Sequence, residues 1–102
     1  MKVAIAADGN NEHAMISERA ARAPYILIFE DKKLVKVIRN PFAFGGGGAG
    51  FSVAYMLANE HVDMFIAGRI GPNMAVALKE RSIAMKTFPG KSVKEVLETL
   101  ES

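Results

Sequence analysis

What most constrains this chain is a set of short apolar runs that each stop at turn-forming residues. Val3–Asp8 (VAIAAD) runs into Asp8-Gly9-Asn10-Asn11 and reads as a strand buried on both faces, hence central in its sheet. Tyr25–Glu30 (YILIFE) and Leu34–Arg39 (LVKVIR) are rich in β-branched and aromatic residues and flank Asp31-Lys32-Lys33, the spacing of a hairpin. Lys36 and Arg39 mark the second of these as an edge strand. Asp63–Gly68 and Ile83–Phe88 supply two further short strands. No apolar run comes near the roughly 18 residues that a membrane-spanning helix needs.

Between these strands lie segments of different character. Asn11–Ala23 lacks a clean period and reads as a structured loop, in which Ser17 can cap one short helical turn before Pro24. Gly45–Gly50 reads as a loop opening a helix over Phe51–Glu60, with Val53, Tyr55, Met56 and Leu57 facing the core. Gly71-Pro72 starts a second helix over Asn73–Arg81, with Met74, Ala75 and Leu78 facing inward. Ser92-Val93-Lys94-Glu95 is a capping box, and Val93, Val96, Leu97 and Leu100 then fall on one helical stripe.

The resulting order, β-β-β-α-β-α-β-α, feeds a hairpin into two right-handed crossovers. It predicts a single α/β domain over residues 1–102 built on a five-stranded mixed sheet, order 3-2-1-4-5, with three helices. A switch point then falls between the first and fourth strands, where a crevice opens at their carboxyl ends. Asp8-Gly9-Asn10 and Gly68-Arg69-Ile70-Gly71-Pro72-Asn73 are expected to meet there.

Composition narrows the chemistry. Cysteine is absent, which excludes disulfides, thiolate nucleophiles and cysteine-ligated clusters together. Thirteen Lys and Arg against eleven Asp and Glu leave a net charge of +2, too little for a nucleic-acid footprint. Asp8 and Gly9 cut short the first apolar run, so no secretory signal is read and a cytoplasmic protein is expected.

The glycine run Gly45–Gly50 satisfies many glycine patterns, but it follows the third strand and not the first, unlike a dinucleotide fingerprint. Phe51 stands where a Walker loop needs its lysine. What the loop retains is close backbone access to the N–H groups of a helix start, which suits an anion. Arg69 is a candidate to add a guanidinium group and Arg19 and Arg22 can join it, with solvated surface charges as the alternative for all three. The candidate ligand-holding residues are therefore Asp8, Gly9, Arg19, Gly47, Gly48, Gly50, Arg69, Gly71 and Asn73. No Ser/His/Asp constellation and no cluster of carboxylates is visible, so no catalytic residue and no resident metal ligand is assigned.

Three blocks taken together, Ser17–Tyr25 (SERAARAPY), Asn40-Pro41 with Gly47-Gly48-Ala49-Gly50, and Ala67–Asn73 (AGRIGPN), resemble the dinitrogenase iron–molybdenum cofactor biosynthesis family. With the strand ending in Asp8-Gly9, the resemblance extends over essentially the whole chain. It implies a ribonuclease-H-like fold and a non-enzymatic carrier of an anionic iron–molybdenum or iron–sulfur cofactor precursor, with cluster-assembly proteins as partners and neither nucleic acid nor membrane. Arg19 stands where members of that family often have His, and Arg69 where Asn is common, which favours reversible holding through charge over direct ligation. A protein-interaction domain without cofactor and, third, a phosphate-handling enzyme are the alternative readings.

Overall fold

The computed structural model describes residues 1–100. It contains five strands, β1 (Lys2–Ala7), β2 (Tyr25–Glu30), β3 (Lys33–Arg39), β4 (Met64–Ala67) and β5 (Ala84–Thr87), and three helices, α1 (Ala49–Asn59), α2 (Pro72–Glu80) and α3 (Val93–Thr99). A single 3-10 turn, Ala20–Arg22, lies between β1 and β2. The sheet order is β3-β2-β1-β4-β5, as the strand reading implies.

β1 occupies the centre because it is apolar on both faces. It pairs antiparallel with β2 through Ile5↔Leu27 and parallel with β4 through Ile5↔Ile66. Ala4 and Ala6 face α1 and α2 across a core that includes Ile26, Ile28, Val53, Leu57, Phe65 and Leu78. Val3, Ile5 and Ala7 face the opposite layer, where Leu27, Phe29 and Ile66 meet Val93, Val96, Leu97 and Leu100 of α3. Burial of each large side chain contributes roughly 1.5–3 kcal/mol. The alternation of β1 thus serves two cores, and β3, with its lysines, lies at an edge, exposed along nearly its whole length.

Two details depart from the sequence reading. α1 begins at Ala49, so Gly50 lies within its first turn and not in the preceding loop. A side chain at Gly50 would approach Met74 Cβ at 3.1 Å and its Cα at 3.2 Å, so glycine there permits close packing of α1 on α2. The small residues carry the helix interface for the same reason. Ala54, not Tyr55, is buried in α1, and Tyr55 lies 59% exposed beneath the Arg81 guanidinium. Likewise Ala77, not Ala75, is the buried alanine of α2.

Candidate functional site

The chain leaving β1 determines what the switch point can hold. After the turn at Asp8–Asn11 it doubles back, and Ile16 bridges antiparallel to Ala7. The Ser17 N–H donates to Ala6 O at 2.9 Å, and the Gly68 N–H donates to Ser17 O at 2.8 Å. Ser17, fully buried, thereby ties the carboxyl ends of β1 and β4 together and fills the space between them. Asp8 and Gly9 are consequently carried away from the segment after β4, and neither lines the crevice where the sequence reading places them. Asp8 is solvent-exposed, and Gly9 packs near Ala14.

A crevice of about 490 Å³ opens instead beside this plug, on the α1 and α2 side of the sheet. Arg19, Gly48, Gly50, Arg69, Gly71 and Asn73 line it, together with Glu18 and Arg22. Six of the nine expected residues therefore meet, whereas Gly47 stands just outside and Asp8 and Gly9 lie elsewhere.

The starts of α1 and α2 converge on this crevice, and both are chemically unfinished. Gly48 and Gly71 are their N-cap residues, neither start has a capping side chain, and neither first turn has an acidic residue. The leading N–H groups of a helix have no partner within it, so both starts present donors and positive dipole ends to the crevice. α3 differs, because the Ser92 hydroxyl accepts from Glu95 N–H while the Glu95 carboxylate accepts from Ser92 N–H. Among the described residues the ion pairs are Met1–Asp31 and Lys36–Glu60, which leaves Arg19, Arg69 and Glu18 outside any such pair.

Arg22 has a different occupation. Its guanidinium donates to Phe42 O at 3.1 Å and also to Gly46 O, and so fastens the glycine loop to the 3-10 turn. Asn40 completes the same scaffold from beneath. Its amide donates to Ala21 O and Ala23 O, each at 2.9 Å, and its carbonyl accepts from Phe42 N–H at 2.9 Å. Apart from the local bond between Asn40 and Phe42, the partners lie 17 to 24 residues apart, so no local sequence motif marks the long-range fastenings.

Glu18 also lines the crevice, although it is not among the ligand-holding residues expected from the sequence. Gly68, buried below it, leaves room for its carboxylate, because a Cβ there would run into Glu18 Oε2. Among the described residues no group of three or more His, Cys, Asp or Glu is gathered to hold a metal ion. The donor set of the crevice, two guanidinium groups and two helix starts, therefore fits an anion held by charge and N–H groups and does not fit a metal enclosed by side-chain ligands. A second cavity of about 190 Å³, between the sheet and the end of α3, is lined chiefly by Met1, Val3, Phe29, Leu97 and Leu100 and lacks such a set.

Fold and crevice together define a small α/β protein with a mixed 3-2-1-4-5 sheet and a basic crevice at two helix starts. The family model described as dinitrogenase iron–molybdenum cofactor matches residues 1–102, and the chain belongs to that family. A NifB-like protein of the DUF35 family from Thermotoga, solved by NMR, is 31% identical, with a TM-score of 0.80 over 95% of this chain and 84% of that one. The apo form of the orange protein from Desulfovibrio gigas superposes with a TM-score of 0.88 over 95% of this chain and 83% of that one, at 21% identity. No curated protein sequence matches the chain.

Proposed function

We propose that this protein is a non-enzymatic carrier that holds an anionic iron–molybdenum or iron–sulfur cofactor, or a precursor of one, as reversible cargo in the crevice. One observation carries the reading: two uncapped, acid-free helix starts and the guanidinium groups of Arg19 and Arg69 line a single open space. Family membership supports the choice of a metal–sulfur anion over other anions. Cluster-assembly proteins are the partners this reading implies, as donors or acceptors of the cargo.

Titration of the isolated iron–molybdenum cofactor into wild type, Arg69→Ala and Gly48→Asp tests it. A charge-assisted hydrogen bond is worth roughly 1.5–3 kcal/mol, so Arg69→Ala is expected to weaken binding by about one to two orders of magnitude. Gly48→Asp places a carboxylate at the start of α1 and is expected to abolish binding, with circular dichroism confirming the fold because Gly48 has φ +85°. Equal binding by all three removes both loops from the site. Absence of binding by wild type favours the interaction-domain reading, to which Phe44, 90% exposed beside the glycine loop, lends its own support.

A further inference from the structure

Among the described residues the one acidic side chain lining the crevice is Glu18, set among features that otherwise favour negative charge. Its side chain is exposed, while the backbone that carries it into the crevice is fixed by the fold. The backbone on its N-terminal side is fixed by Ser17, which accepts from Gly68 N–H and donates to Ala6 O, and the buried Ser17 hydroxyl accepts from Arg19 N–H at 3.1 Å on the other side. The carboxylate lies over Gly68, in space that a Cβ at that position would enter, so a side chain there would push the flexible end of Glu18 aside.

Resting on the carrier reading above, we infer that Glu18 is the specificity-determining residue of the crevice, restricting it to anions that expose a metal centre. A simple oxyanion presents only negative oxygen atoms, and Glu18 opposes it while the arginines and helix starts attract it. A metal–sulfur cluster is negative overall but offers electropositive metal atoms at its edge, which a carboxylate oxygen can meet as a ligand or through a bound water. The same group therefore disfavours one kind of anion and favours the other. This is discrimination by a repulsive element placed inside an attractive site.

Two variants separate the charge from its position. Glu18→Gln removes the charge and keeps the shape. Gly68→Ala keeps the charge and displaces it, because the nearest atoms to the new methyl belong to the movable end of Glu18, with Ser17 O next at 3.2 Å. Wild type and both variants are titrated with inorganic phosphate and, separately, with isolated iron–molybdenum cofactor, after circular dichroism has confirmed their fold. Loss of a like charge within several ångströms in a water-filled site is expected to strengthen phosphate binding about three- to tenfold in both variants. Cofactor binding is expected to weaken about tenfold, as one charge-assisted contact is lost. If wild type binds the cofactor and neither variant alters the preference between the two anions, the role of Glu18 is overturned while the carrier reading stands. If wild type binds no cofactor, the carrier reading falls and this inference falls with it. Glu18→Gln decides the matter alone should Gly68→Ala fail to fold.

Discussion

Truncation of Asn40 to alanine is expected to be the most damaging single change outside the apolar core. The side chain is 5% exposed and makes three hydrogen bonds of 2.9 Å, to Ala21 O, Ala23 O and Phe42 N–H. Ala23 is fully buried, so its carbonyl would lose its partner with no access to water, which costs about 1–3 kcal/mol. Ala21 and Phe42 are half-buried and can recover some hydration, so each of the other two bonds is worth about 0.5–1 kcal/mol. The sum, about 3 kcal/mol, corresponds to a fall in Tm of roughly 12–24 °C for a domain of this size. Urea denaturation followed by circular dichroism measures it, with an unchanged m-value showing that only stability has moved. Asn40→Asp is expected to be worse at neutral pH, where a carboxylate faces two carbonyl oxygens, and to recover partly in acid, where the protonated group can donate to one of them. A loss below about 1 kcal/mol for Asn40→Ala would refute the view that Asn40 is the staple between β3 and the arginine-bearing turn.

Arg22→Ala removes the two guanidinium contacts that hold the glycine loop, so amide exchange over residues 42–48 is expected to accelerate while the sheet stays protected; unchanged exchange there would contradict the role given to Arg22. Ser92→Ala is expected to cost about 1 kcal/mol in urea denaturation by opening the capping box, and a loss within error of zero would show α3 to be held by packing alone. Hydrogen bonds from the Ser92 backbone and then its side chain hold the Glu95 carboxyl below its ordinary range. A lowered folded-state pKa stabilises above the unfolded carboxylate range and loses that contribution as pH falls through the folded value. Glu95→Gln should accordingly trail wild type in Tm near neutral pH and draw level in acid, and a gap independent of pH would count against it.

Much of the architecture is legible because its causes are local. β1 shows its central place through an apolar run without polar alternation, and Ser92 with Glu95 announces α3 by side-chain chemistry three residues apart. The faces of α1 and α2 are harder to read, since Ala54 and Ala77 are buried for their smallness where two helices approach closely, and a pattern search favours the larger Tyr55. The crevice is legible where a motif meets a helix start, as at Gly48, Arg69 and Gly71. Asp8 and Gly9 are misplaced because the fold-back of Ile16 and Ser17 onto β1 is a tertiary event that no nearby residue signals. Glu18 is not placed in the crevice by the sequence for a similar reason, as its position depends on Gly68, fifty residues away in the chain.

The central claim concerns where the cargo sits, and amide-resolved NMR tests it most directly. Backbone 15N–1H spectra of the protein would be recorded with and without the isolated iron–molybdenum cofactor. The expected perturbations fall on Gly48 to Phe51 at the start of α1, on Asn73 and Met74 at the start of α2, and on Arg19 and Arg69, while the capped start of α3 at Ser92 to Glu95 stays silent. Perturbations confined to α3 or the β3 edge, or a spectrum that does not change at all, would contradict the account.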